Sequence, residues 1–396
     1  MNSNKQAAVA LCLFVFIASP AGAQDQESIG GAVIYDYDPA TKLGDAVFGT
    51  LISDLEHDAP GRNSHGGPVC LEYPNGQIVA WYMNNSDHNL DGWSEYAVSR
   101  DGGRSWDMYN RFPYSLDAYL RDLSRPAFVE AGLVTEKGTV VLFISHFEDG
   151  ERSMSGFMRS FDQGASWTDY ESLDGSFVGY PVGTVVDGGT NYIVLDSTNI
   201  EKFRNLKQEQ KQRTRLTGEH LQKVIAVLRG PHVLYVSTND GRTWQKRSTL
   251  PLQDEKFYGT VTLMGNGGLL AGAYDSDDEH HFYYCISMDQ GRSWSEQRKA
   301  YVDKRVRDPE LAYLGGRYYL HGRSRDDRFV LYQSTDGVNW GSGLIVSSDE
   351  EGPDGYSANC RIHTYDDDVP DELMVLYSII YKGRDTNEYV FFLKPN

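Results

Sequence analysis

The sequence predicts an all-β chain folded as a six-bladed β-propeller. Three observations carry that prediction: a short turn motif that recurs five times, a glycine-rich hairpin ahead of each copy, and a sixth hairpin with no motif after it. The motif reads Ser-x-Asp-x-Gly-x-x-Trp. It stands at Ser99 to Trp106, Ser160 to Trp167 and Ser287 to Trp294. The copy from Ser237 to Trp244 has Asn239 in the acidic position, and the copy from Ser334 to Trp340 is one residue shorter. An Asp or Asn accepts backbone N–H groups inside a hairpin turn, Gly takes the positive-φ position, and Trp folds back over the turn. These residues hold turns together and specify architecture rather than chemistry.

In chain order, Lys5, the apolar run from Ala7 to Ala18 and the small residues Ala21-Gly22-Ala23 read as a secretory leader, 1–23, cleaved before Gln24. The run is shorter than the roughly 20 helical residues that cross a bilayer. The mature chain, 24–396, is expected to be a single propeller domain, secreted or periplasmic. Residues from Gly31 to Tyr37 read as an outer strand that closes the last blade and removes an open sheet edge. The inner hairpins of blades one to five turn at Pro74-Asn75-Gly76, Glu136-Lys137-Gly138, Asp187-Gly188-Gly189, Gly265 to Gly268 and Leu314-Gly315-Gly316. Ala358 to Thr364 and Leu373 to Ser378 form the sixth pair. Within blade three, Asn199 to Gly230 is a charged insertion with Leu221, Val224, Ile225 and Leu228 at helical spacing, either a solvated decoration or a basic lid beside a pocket.

The formal net charge of -19 excludes nucleic acid and anionic membrane as partners, since both need a basic footprint. A few arginines in a pocket can still attract an acidic ligand. Cys70, Cys285 and Cys360 lie in apolar, strand-like surroundings without metal-ligand spacing; they read as buried thiols, with a Cys70–Cys360 disulfide left open. No cofactor is implied, although a structural Ca²⁺ in an Asp-rich loop would leave little trace in a sequence.

Strand order then selects a working face. If the Trp motifs join the third and fourth strands of each blade, they share one face with the inner-hairpin turns. The opposite face receives the residues just before each first strand and just after each second strand. In blade one these are His65, Asp87, His88 and Asp91; in blade two, Arg125 and His146; in blade three, Tyr180 and Asp196. Blade four supplies Tyr258, Tyr274 and Asp275, with His280 and His281 further on. Blade five offers Arg307, Asp308, Glu310, His321 and Arg323, and blade six Tyr356, Asn359, Tyr377 and Tyr381. Loops are polar by default, but this set is rich in His, Arg, Tyr and Asp, types that bind carboxylates and move protons.

From about residue 32 to the end, the motif repeats resemble those of the sialidases and related Asp-box propellers. Glu310 through Arg323 resembles the sialidase segment in which a Glu opens one strand and an arginine of the substrate-binding triad closes the next. Gly352 through Ser357, followed by Leu373 to Tyr377, is similar to the segment that carries the family's nucleophilic tyrosine. The resemblance implies a hydrolase of acidic glycans in which Tyr356 is nucleophile, Glu310 its activating carboxylate and Arg323 a carboxylate clamp. Asp91 stands where the acid/base aspartate would, with His88 as competitor. Arg125, His146, Asp308, Tyr258 and Tyr180 complete the candidate set as ligand contacts. The sequence departs from the family at Ser64-His65-Gly66-Gly67-Pro68, where a triad arginine is expected. His65 with His88 instead resembles the histidine pair of the ulvan lyases, which implies β-elimination of a uronate. A glycan-binding module without catalysis is the third reading.

Overall fold

The structure is a computed structural model that describes residues 27–29, 32–35, 50–53, 64–85, 92–148, 151–173, 179–198, 229–252, 256–324, 328–346, 356–364, 370–380 and 386–394. It is the expected all-β propeller of six blades around a central axis. The innermost strands are Ser64–Glu72, Ala127–Val134, Gly179–Asp187, Lys256–Leu263, Arg307–Leu314 and Ser357–Ile362. Blades two to five are four-stranded antiparallel sheets, whereas blades one and six join into one larger sheet. The joint is a single parallel pair, Thr386 with Ser64. The expected outer strand closes blade six: Ala32–Tyr35 runs antiparallel to Thr386–Lys394, pairing Val33 with Lys394 and Tyr35 with Phe392. Thr50–Leu51 covers the next part of the same edge. That edge is therefore shared among three segments, which leaves less backbone open to foreign strands.

All five Trp motifs lie between third and fourth strands, as the spacing requires. In blade one, Asp101 Oδ1 accepts the N–H groups of Arg104 and Ser105 at 3.0 and 2.9 Å, while Ser99 Oγ accepts that of Gly103 at 2.7 Å. Asn239 does the same work without charge, taking the Thr243 N–H at 3.0 Å. The motif glycine has a second duty. Each lies against a side chain of the preceding blade: Gly103 on Phe392, Gly164 on Tyr73, Gly241 on Val141, Gly291 on Leu234 and Gly337 on Leu270. A β-carbon at Gly291 would come within 2.2 Å of Leu234 Cδ2, and φ is +77°. The motif thus stitches consecutive blades, and only Gly satisfies both demands.

Between blades the core is packed from apolar strand faces. Trp81, for example, meets Tyr96, Phe112 and Trp167 with ring centroids 4.5, 5.3 and 6.2 Å away. The one helix among the described residues, Pro113–Arg121, links blades one and two and was not anticipated from the sequence. Its Ser115 Oγ accepts the Ser94 N–H and donates to the Ala127 carbonyl, tying the helix to both blades. Proline at the first turn was the available signal. Residues 199–228, most of the expected helical insertion, lie outside the described residues. No helix among the described residues is long and apolar enough to cross a membrane.

Candidate functional site

Each of the first five inner strands carries a β-bulge near its start, at Gly66/Val69, Val129/Ala131, Pro181/Gly183, Phe257/Thr260 and Arg307/Glu310. In three of them the first extra residue adopts a left-handed conformation: Gly67 at φ +60°, Tyr258 at +42° and Asp308 at +51°. Glycine does so freely. For Tyr258 and Asp308 the conformation costs on the order of 1–3 kcal/mol each, strain that clusters at functional sites.

These bulges surround a cavity of ≈ 100 Å³ on the axis, lined by inner-strand residues of all six blades. Tyr258 organises its aromatic wall. The ring meets Tyr180 edge-on at 5.5 Å and Tyr356 edge-on at 6.1 Å, and lies parallel to Tyr274 at 6.2 Å. Asp196 Oδ2 of blade three accepts the Tyr258 backbone N–H at 3.4 Å and so helps hold the strained residue. Tyr258 acts first, with burial, Asp308 and Tyr180 adding to it, to raise the Tyr356 phenol well above its ordinary pKa. At neutral pH Tyr356 therefore carries its proton.

Blade five supplies the charge. Asp308 Oδ2 lies 3.5 Å from Arg323 Nη2 and 3.4 Å from Arg307 Nε. Burial opposes the Arg307 charge, but Asp308 and the phenols of Tyr274, Tyr258 and Tyr356 more than offset it and raise its pKa. Glu310 is different. It accepts a hydrogen bond from Thr260 Oγ1 at 3.2 Å, and burial pushes its carboxyl well above the usual range. Beside it, burial lowers the His321 pKa to about 3, so the ring is neutral. Asn359 Nδ2 donates to His321 Nε2 at 3.0 Å, which leaves the Nδ1 proton for Ser357 Oγ at 2.9 Å. Ser357 and Asn359 both line the cavity.

Of the residues singled out in the sequence, Tyr356, Glu310, Asp308, Tyr258 and Tyr180 meet at this cavity, with Arg323 bonded to Asp308. Two do not join them. Arg125 is exposed in the turn after the helix, 3.5 Å from Asp122, and His146 sits between Tyr114, whose hydroxyl is 2.8 Å from Nε2, and Tyr170. Burial lowers the His146 pKa, which suits this neutral packing role. The His65 backbone pairs with Asn84 on the inner strand of blade one, but its side chain lies outside the described residues. His88 and Asp91 lie outside them altogether. The sequence reading missed Glu130, a cavity-lining carboxylate that accepts a hydrogen bond from Ser145. Its signal was an acid flanked by Val129 and Ala131 within an apolar strand.

A family model described as the DUF6242 beta propeller domain matches residues 125–368. Among solved structures, the chain is similar to a protein of unknown function from Dyadobacter fermentans, at 13% identity and a TM-score of 0.66, over 89% of this chain and 100% of that one. It is similar to a Hadza microbial sialidase at 14% identity and a TM-score of 0.63, over 88% and 68% of the two chains. It is also similar to an α-L-arabinanase of Penicillium chrysogenum complexed with arabinobiose, at 14% identity and a TM-score of 0.55, over 88% and 98%. No curated protein matches the chain in sequence. At such identities these likenesses establish the propeller architecture.

Proposed function

The chain belongs to the DUF6242 beta-propeller family, and on that premise we propose that it is an exported glycoside hydrolase whose axial cavity takes an acidic glycan. One observation carries the reading: a protonated Tyr356 faces the cavity beside two arginines that share one aspartate. With Glu310 neutral, blade five brings two arginines and one aspartate to its side of the cavity, in a chain of net charge -19, while the carboxylate Glu130 stands on the side of blade two. A substrate carboxylate is the charge complementary to those arginines. Tyrosine faces supply stacking surface for the sugar ring, and the sialidase and arabinanase similarities support a sugar in this position.

The chemistry follows from the proton positions. A neutral phenol approaches an anionic sugar without the repulsion that a second carboxylate would bring. Tyr356 Oη bonds the anomeric carbon as the glycosidic C–O bond breaks; its proton passes to Asp308, the carboxylate whose field acts on it. Glu310, an undissociated acid, gives its proton to the leaving oxygen. In the second step the Glu310 carboxylate takes a proton from water, the resulting hydroxyl replaces Tyr356 on the sugar, and Tyr356 recovers its proton from Asp308. Glu310 is thereby the acid, and Asp308 takes the activating role that the sequence resemblance had implied for Glu310.

Incubation with a panel of acidic oligosaccharides tests this. Reducing ends are expected without the ultraviolet absorbance of an unsaturated uronate, and Tyr356→Phe is expected to stop their release while leaving binding intact. Unsaturated uronate, or binding with no cleavage, would overturn the hydrolase reading in favour of a lyase or a binding module.

A further inference from the structure

We propose that Cys70 and Cys360 form a disulfide that locks blade one to blade six at the propeller axis when the protein meets a disulfide oxidant. Cys70 lies on the inner strand of blade one, paired with Ala80, and Cys360 on the inner strand of blade six, paired with Met374. Both pack into one apolar cluster with Ile52, Tyr82 and Phe392. Both are free thiols in the structure, and Cys360 is a neighbouring group that acts on the Cys70 thiol. Cys285 belongs to a separate cluster between blades three and four, with no second cysteine in it.

The location gives the bond a purpose. Blades one and six are where the first and last parts of the chain meet, and strand pairing and apolar packing join them. A disulfide there adds a covalent closure beside the cavity, since Cys70 lines it and Tyr356 precedes the strand that bears Cys360. Cross-linking residues so far apart in sequence strongly restricts the unfolded chain.

With glutathione disulfide as oxidant, the half-buried Cys360 thiolate attacks one glutathione sulfur and releases a glutathione thiolate. Cys70, as thiolate, then attacks the Cys360 sulfur and releases the second. Two protein thiols and one glutathione disulfide become one protein disulfide and two glutathione thiols. Burial, with Cys360, Glu310 and Glu388 adding to it, pushes the Cys70 thiol well up, so the second step is slow at neutral pH and quickens as pH rises.

The test equilibrates the protein in reduced and in oxidised glutathione, blocks remaining thiols under denaturing conditions, and maps linked peptides by mass. The expected result is a peptide joining Cys70 to Cys360, with Cys285 still blocked, and an unfolding midpoint raised by roughly 5 °C or more in the oxidised protein. Cys285→Ser should keep that rise and Cys360→Ser should lose it; Cys70→Ser should match Cys360→Ser where it folds. Alkylation of both residues after oxidation, glutathione retained on Cys360 as the end product, or linkage through Cys285 would overturn the proposal.

Discussion

Arg323 Nη2 lies 3.5 Å from Asp308 Oδ2, joining an arginine at the end of one blade-five strand to a carboxylate on a left-handed bulge of its neighbour. The Arg323 side chain is 12% exposed, and Arg307, which shares that oxygen, is 39% exposed. Arg323 is therefore the better-shielded partner. Replacing it by methionine is expected to destabilise the protein by about 2–4 kcal/mol in denaturant unfolding, because the aspartate stays buried with one solvated cation. Adding Asp308→Asn should recover part of the loss. A single-variant effect below about 0.5 kcal/mol would mean that the pair behaves as an exposed one.

Glu310 gives a pH signature. Burial raises its folded-state pKa well above 4.5. The folded protein therefore keeps a proton that the unfolded chain releases, and stability falls as pH rises above 4.5 toward the folded value. Glu310→Gln keeps the shape without the acid. Its stability relative to the parent should grow as pH rises above 4.5 in chemical unfolding. A constant difference would show that Glu310 ionises equally in both states.

The Trp-motif aspartates run the other way. Burial opposes the Asp101 charge slightly, but hydrogen bonds from Ser105, Ser99 and Arg104 lower its pKa to about 2, and those from Ser293 and Ser287 bring Asp289 to about 2. Stability from these groups is complete above the ordinary 3.8 and is lost as pH falls from there toward 2. Combined Asp101→Asn and Asp289→Asn is expected to lower stability at neutral pH and to flatten the acid limb of the unfolding curve. An unchanged acid limb would assign the acid sensitivity elsewhere.

Gly291→Ala places a methyl 2.2 Å from Leu234 at φ +77°. A loss of roughly 2–4 kcal/mol is expected from strain and overpacking together. Gly267→Ala, at φ +81° with open space around it, should cost less, because only the backbone term remains. Equal losses would remove the stitching role argued for the motif glycine.

Much of the fold was legible because turn chemistry is local. Ser, Asp, Gly and Trp at fixed spacing identify a hairpin without knowledge of its surroundings, and the closing strand near Ile34 followed from the missing sixth motif. The site was legible as a face but not as a radius. His146 and Arg125 lie toward the expected end of blade two, yet the sequence had no means of showing that Tyr114 and Tyr170 would take one and Asp122 the other, away from the axis. Nor did composition disclose that Tyr258 and Asp308 would occupy the conformation that Gly67 accepts freely. The protonation of Glu310 and Tyr356 turned on burial and on neighbouring groups, which depend on blades three to six at once.

The most direct measurement is calorimetric titration of the protein and of Arg307→Met with an acidic oligosaccharide and with the same oligosaccharide after its carboxylates are reduced to alcohols. The parent protein should bind the carboxylate form at least ~10-fold more tightly, and the variant should bring the two affinities together. Equal affinities in the parent, or a preference that persists without Arg307, would contradict an axial site built to hold an acidic glycan.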